Sequence, residues 1–231
     1  MSVYIDVWHR THPTTPANHE RFLDYYGEFV VAPPSDFFEV VAGFKYVDGP
    51  SNEDFALYRY ASMAAIEESM MTFGADPAFL EATETLFSEI EIEETRAIAL
   101  HTPYAPETRL DAALAESLNS DLDPTVDSAH RFLRIQRTCS GTSRIPAFAA
   151  LTELRDAIEK SREARLILAF HYIVGPVMDL VEIWRVPEGS LLGSDGWPDE
   201  GVDAALEAKV AGLAPARERR RLEPTRFSRL R

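Results

Sequence analysis

Apolar and polar positions alternate at period two over residues 3–11 (Val-Tyr-Ile-Asp-Val-Trp-His-Arg-Thr), which predicts a strand with Val3, Ile5 and Val7 on one face. Over 17–31 the period lengthens, and Phe22, Tyr25, Tyr26, Phe29 and Val30 fall on one helical stripe stopped by Pro33-Pro34. Strands near 38–47 and 54–61 follow, joined by the turn-forming cluster Asp48-Gly49-Pro50. Asp76-Pro77 has the form of an N-cap with proline at the first helical position and opens a helix through Phe87; residues 95–102 close the set as a fourth strand. The second half runs the same course: strand 130–138, helix 146–161, strands 165–174 and 179–186, helix 201–220 and strand 225–230.

The two halves share more than an order of elements. Phe44-Lys-Tyr-Val-Asp-Gly-Pro50 matches Phe170-His-Tyr-Ile-Val-Gly-Pro176, Leu57-Tyr-Arg59 matches Ile183-Trp-Arg185, and Ala78-Phe-Leu-Glu-Ala82 matches Ala204-Ala-Leu-Glu-Ala208, all at one offset of 126 residues. The predicted architecture is α+β: two tandem ferredoxin-like β-α-β-β-α-β units at 1–104 and 128–231, joined by a linker, 105–127, with a short helix around Leu110–Leu118. The loop 188–200, with Trp197, has no period, and long irregular insertions are more often functional than core.

Three stretches carry a family resemblance: Gly43-Phe44 through Phe55-Ala-Leu-Tyr-Arg-Tyr-Ala-Ser62, Phe73-Gly-Ala-Asp-Pro-Ala-Phe79, and Ile98-Ala-Leu-His-Thr-Pro103. Together they resemble the NIPSNAP-like members of the dimeric α/β-barrel superfamily, which also holds the antibiotic biosynthesis monooxygenases and the anthrone oxygenases of aromatic polyketide pathways. The resemblance implies that the sheets of the two halves pair into a barrel. It transfers fold rather than chemistry, because one fold hosts many activities.

If each strand gives its aliphatic face to the helices, the other face lines the barrel. On that basis Tyr4, Asp6, Trp8 and Arg10, then Tyr58 and Tyr60, then Phe132, Arg134 and Gln136, then Glu182 and Trp184, together with His101, Phe227 and Arg229, are expected inside. Aromatic walls with sparse polar groups suit a small-molecule site. Arg134 is expected to pair with Glu182, and Arg10 with Asp6. His171, matched to Lys45, is the candidate general base, since imidazole titrates near neutrality. His9 and His12 lie three apart on a strand and so point to opposite faces, which argues against joint chelation. His19 is expected to be solvated at a helix start. No histidine–carboxylate metal motif, glycine-rich nucleotide loop or nucleophile elbow occurs, so no bound metal is predicted. The run Arg217-Glu-Arg-Arg-Arg221 is expected at a helix C-terminus, and Glu89-Ile-Glu-Ile-Glu-Glu94 is assigned to solubility.

Composition narrows the partners. With 23 Lys+Arg against 38 Asp+Glu among 231 residues the formal charge is −15, so phosphate backbones and anionic lipid are repelled. The lone Cys139 excludes an intramolecular disulfide; no apolar run approaches a membrane span and no leader pattern is seen, so a cytoplasmic location is expected. The resemblance then implies a secondary-metabolism oxygenase acting on an apolar, polyketide-like aromatic substrate, without tightly bound metal. His171 would act as base, Arg134 or Arg229 would steady the oxyanion, Glu182 is the third catalytic candidate as the partner of Arg134, and Trp8, Tyr58, Tyr60 and Trp184 would form walls. Electrons would come from the substrate or a diffusible reduced flavin. The rival readings are a cyclase or dehydratase on the same substrate class, a haem protein resembling the chlorite dismutases, and a non-catalytic binding or assembly protein. A homo-oligomer fits any of them.

Overall fold

In a computed structural model the described residues are 2–32, 38–50, 52–118, 130–141, 144–161, 164–187 and 202–230. The loop 188–200 with Trp197, and Pro33-Pro34, lie outside them. The chain divides into two compact units, one formed by residues through Ala99 together with those from Glu223 on, the other by residues from Leu100 through Leu222. No described helix is long and apolar enough to cross a membrane.

The first unit runs β1 (Val3–His12), α1 (Pro16–Tyr25) continuing into a π-helical turn (Tyr26–Val31), β2 (Phe38–Tyr46), β3 (Glu53–Tyr60), α2 (Met63–Ala75), α3 (Pro77–Phe87) and β4 (Glu91–His101). Its antiparallel sheet has the order β4-β1-β3-β2. Local chemistry sets the ends: Thr15 caps α1, Ser62 caps α2, and Asp76 both ends α2 and caps α3 by accepting from the amides of Ala78 and Phe79. The stripe expected over 17–31 is present, but its last turn is π-wound. Helix α2, absent from the predicted elements, precedes the one Asp76-Pro77 signals.

The second unit runs α4 (Glu107–Leu118), β5 (His130–Thr138), α5 (Ile145–Ser161), β6 (Arg165–Val174), β7 (Asp179–Pro187), α6 (Ala204–Leu213) and β8 (Ala216–Pro224), with antiparallel sheet order β8-β5-β7-β6. The predicted helix 201–220 therefore ends early. It stops at Leu213, just before Pro215, and Arg217–Arg221 belongs to strand β8 rather than to a helix terminus.

Strand register corrects two face assignments. Val3 lies opposite Tyr60 and Ile5 opposite Tyr58, so both tyrosines share the face of Val3 and Ile5, while Leu57 and Phe55 share that of Asp6 and Trp8. Likewise Ile135 lies opposite Glu182 and Leu133 opposite Trp184, whereas Arg134 lies opposite Ile183. Arg134 and Glu182 thus point to opposite sides of the sheet, and the expected salt bridge does not form. Strands β3 and β7 carry apolar residues at both parities, so composition does not reveal which parity faces the helices, and a one-residue error flips every side chain.

Candidate functional site

Within the first unit, between the sheet face that carries Ile5, Val7, Tyr58 and Tyr60 and the three helices, lies a cavity of about 500 Å³. That is inside the roughly 300–1,000 Å³ range of small-molecule pockets. Phe22, Tyr25 and Tyr26 come from α1 and its π turn, Phe73 from α2, Phe79 from α3 and Phe38 from β2. Edge-to-face and tilted contacts knit these walls: Phe38 meets Tyr58 at 5.2 Å and Phe73 at 5.6 Å, and Phe73 meets Phe79 at 5.2 Å. The Tyr25 hydroxyl bonds to Thr83 Oγ1 at 2.6 Å, which ties α1 to α3. A π turn widens a helix by one residue, and such turns recur at functional sites; here it supplies Tyr26 and Val30 to the wall.

Polar groups are few. Tyr58 and Tyr60 present their rings and hydroxyls, and burial holds both phenols above the ordinary range, Tyr58 well above it. Glu94 and Arg96 on β4 line the more open side, paired through Arg96 Nε. Burial works to raise the Glu94 pKa, but the charged His9 ring and the Arg96 hydrogen bond overcome it and hold the group at about 2.

Behind the wall stands a buried imidazole–carboxylate chain. His9 Nδ1 donates to Asp54 Oδ1 at 2.8 Å and His19 Nε2 donates to Asp54 Oδ2 at 2.8 Å, all three residues being buried. His9 Nε2 stands 3.5 Å from Glu94 Oε2, an ion pair rather than a hydrogen bond of normal length. The His9 ring packs on the cavity-wall aromatics Phe22 (4.9 Å) and Tyr26 (5.1 Å). Burial disfavours its charged form, yet Asp54 and Glu94 prevail and raise its pKa to about 9. His19 is therefore not solvated, and the acidic stretch ending in Glu94 does more than solubilise. Both were hidden in the sequence, because the signal is a register (His9 opposite Asp54 and Glu94) rather than a motif.

The other sequence candidates are dispersed. Tyr58 and Tyr60 line the cavity. Trp8, Asp6 and Arg10 lie on the opposite sheet face, where Arg10 stacks on Trp8 at 4.9 Å and pairs with Glu53 rather than Asp6, Nε to Oε1 being 2.9 Å. Arg229 pairs with Glu39, which also takes Arg59. In the second unit Glu182 is fully buried and accepts from Tyr104 Oη (3.1 Å), Arg137 Nε (3.1 Å) and Trp184 Nε1 (3.2 Å). Trp184 sits in the aliphatic core. Arg134 Nη2 donates to Tyr172 Oη at 3.1 Å, and Gln136 Nε2 donates to Asp179 Oδ2 at 2.8 Å. His171 is half-buried beside Phe148, its ring 5.8 Å away, with its pKa lowered by burial and then by Arg144 and His101. His101 and His171 are thus neighbours, but neither is brought near Glu182's carboxylate by any described hydrogen bond. Cys139 is buried and its thiol pushed up by burial, which suits core packing rather than nucleophilic attack. Among the described residues that line the first unit's cavity there is no histidine; His9 and His19, behind its wall, each commit a ring nitrogen to Asp54.

No family model matches the chain and no curated protein matches it in sequence. Solved structures match in fold. An anthrone oxidase-like protein superposes with a TM-score of 0.60 at 13% identity over 96% of this chain and 91% of its own. A candidate monooxygenase from Lactobacillus acidophilus NCFM gives 0.55 at 9% identity over 97% and 94%. The likeness shows that this chain shares their fold.

Proposed function

We propose that the protein is an oxygenase acting on a flat, apolar aromatic substrate with an acidic phenol or benzylic position, held in the first unit's cavity. The observation that carries this is the composition of that cavity: largely aromatic and aliphatic walls, with hydroxyls, one carboxylate (Glu94) and one guanidinium (Arg96) as its few polar groups. The names of the fold neighbours, one anthrone oxidase-like and one a candidate monooxygenase, support the same class. The shared sheet order of the two units supports reading the chain as two tandem ferredoxin-like halves of the antibiotic biosynthesis monooxygenase type.

Tyr58 and Tyr60 stay protonated at neutral pH and can donate, while Arg96 is cationic, so a developing oxyanion meets two phenols and a guanidinium that can turn to it from Glu94. Glu94 is the carboxylate within reach of the substrate. Its basicity is low while Arg96 and His9 both hold it. When Arg96 turns to a substrate oxyanion, Glu94 loses one of those partners and becomes the better base at the step that needs one. For an anthrone-type CH₂ the step balances without an external reductant. Glu94 takes the C–H proton, the anion gives an electron to dioxygen, and the two recombine as a hydroperoxide on that carbon. Loss of water then leaves C=O, so CH₂ and O₂ give C=O and H₂O.

The test is 1,8-dihydroxyanthrone in air with an oxygen electrode and the quinone absorbance. One dioxygen should disappear per quinone formed, faster than in buffer. Arg96→Met and Tyr58→Phe should each lower the rate by about 10²-fold, as loss of one oxyanion donor does. No acceleration by the wild-type protein, or an Arg96→Met variant as fast as it, would overturn the assignment. Substrate conversion without dioxygen uptake would replace it with the cyclase or dehydratase reading.

A further inference from the structure

We propose that His9, which does not itself line the cavity, is a positioning residue: clamped from behind by Asp54 and, through Asp54, by His19, it fixes the Glu94 carboxylate at the cavity wall and keeps it anionic. This deepens the proposed function and rests on it only in calling Glu94 the base.

The geometry requires an explanation that stability does not supply. A carboxylate buried between two buried imidazoles, with a second carboxylate 3.5 Å from one of them, is costly to desolvate, and apolar residues of the same volume would serve packing as well or better. The chain nevertheless runs in one direction: His19 on α1, Asp54 on β3, His9 on β1, Glu94 on β4, ending at the cavity. His9 cannot rotate away, because Phe22 and Tyr26 hold its faces and Asp54 holds Nδ1. Its other nitrogen is therefore aimed at Glu94. The remaining groups that act on Glu94 are Arg96 on its own strand, Tyr58 on β3 and Tyr25 on α1. Arg96 is half-exposed and able to turn toward a ligand, so His9 is the cation that stays when Arg96 leaves.

The readout is the ionisation of Glu94 itself, followed by ¹³C NMR of the full-length protein labelled at glutamate Cδ, with Glu94→Gln identifying the signal. In the wild-type protein this carboxyl should remain ionised down to about pH 3. In His9→Gln its midpoint should climb above pH 4. In Asp54→Asn, which keeps the side-chain shape but removes the charge that holds the imidazolium, the midpoint should climb by a smaller amount. If His9→Gln fails to fold, the Asp54→Asn titration decides. A Glu94 midpoint unmoved in the folded variants would reduce the chain to a structural element and overturn the proposal. These spectra do not depend on turnover. Should 1,8-dihydroxyanthrone go unoxidised while the Glu94 midpoint shifts as expected, the oxygenase assignment falls and the positioning role stands.

Discussion

The two units solve the same packing problem, helices laid on a four-stranded antiparallel sheet, in opposite ways. In the second, the space is filled by an apolar cluster of Leu133, Ile135, Leu151, Leu154, Ile158, Leu166, Trp184 and Val186, and the buried carboxylate beside it, Glu182, is satisfied by three donors. In the first, the corresponding space is left as a cavity, and the polar groups beside it are strung together as imidazoles and carboxylates. Where His9 faces Asp54 across strands in the first unit, the pair at the corresponding place in the second is Arg137 opposite Leu180, and Arg137 turns to Glu182 instead. On the proposed reading the filled unit serves stability and the hollow one holds the substrate.

The largest effect that would break this contrast is expected at Glu182. Glu182→Gln leaves the buried Arg137 guanidinium without its charge partner and should cost about 3–5 kcal/mol in urea unfolding, with no change in 1,8-dihydroxyanthrone turnover per folded molecule. A loss of turnover would mean that the second unit shares in the chemistry. Next come paired truncations. Leu151→Ala, in the filled core, should cost about 2–5 kcal/mol. Phe79→Ala, though it removes a larger side chain, enlarges a space already hollow and should cost less. Equal costs would show that the cavity walls bear as much load as the core.

The smallest effect is a slope, at most about 1.4 kcal/mol per pH unit for one proton. The pKa of His9 is raised in the folded protein from 6.5 to about 9, so its contribution is complete below pH 6.5 and fades as pH rises from there to about 9. Glu94 is lowered from 4.5 to about 2 and Asp54 is lowered too, so their contribution is complete above about 4.5 and fades as acid titrates them. Stability should therefore plateau between roughly pH 4.5 and 6.5 and fall on both sides. The alkaline limb should vanish in His9→Gln.

Strands, turns and the cap at Asp76 were legible because each rests on short-range chemistry: alternation, Asp48-Gly49-Pro50, proline at a first helical turn. What the strands show to the helices was not. In Phe55-Ala-Leu-Tyr-Arg-Tyr60 both parities are apolar, and only pairing with Val3 and Ile5 reveals that Tyr58 and Tyr60 face the helices. The Arg134–Glu182 expectation failed by the same single residue of parity. His19 and Glu94 escaped because each reads as solvated surface until a partner 35 residues or more away in sequence is brought beside it. Tyr58 and Tyr60 do line a cavity, on the side of their strand opposite to the one expected.

The closing stretch of the chain belongs to the first unit, and this bears on the order of manufacture. Phe227 stacks on Tyr26 at 5.5 Å and presses against Gly43 so closely that a Cβ there would sit 2.3 Å from its ring, while Thr225 donates its amide to the Gly43 carbonyl at 2.9 Å. A ribosome that has finished Ala99 still has to add the whole second unit before Glu223 emerges, a wait of about 6–25 s at ordinary elongation rates. During that interval the nascent first unit lacks the ring that backs one wall of its cavity, and its aromatic interior is open on that side. Residues made after the whole second unit close the unit begun first, so a change at Phe227, far along the chain from β1, reaches the first unit's cavity directly.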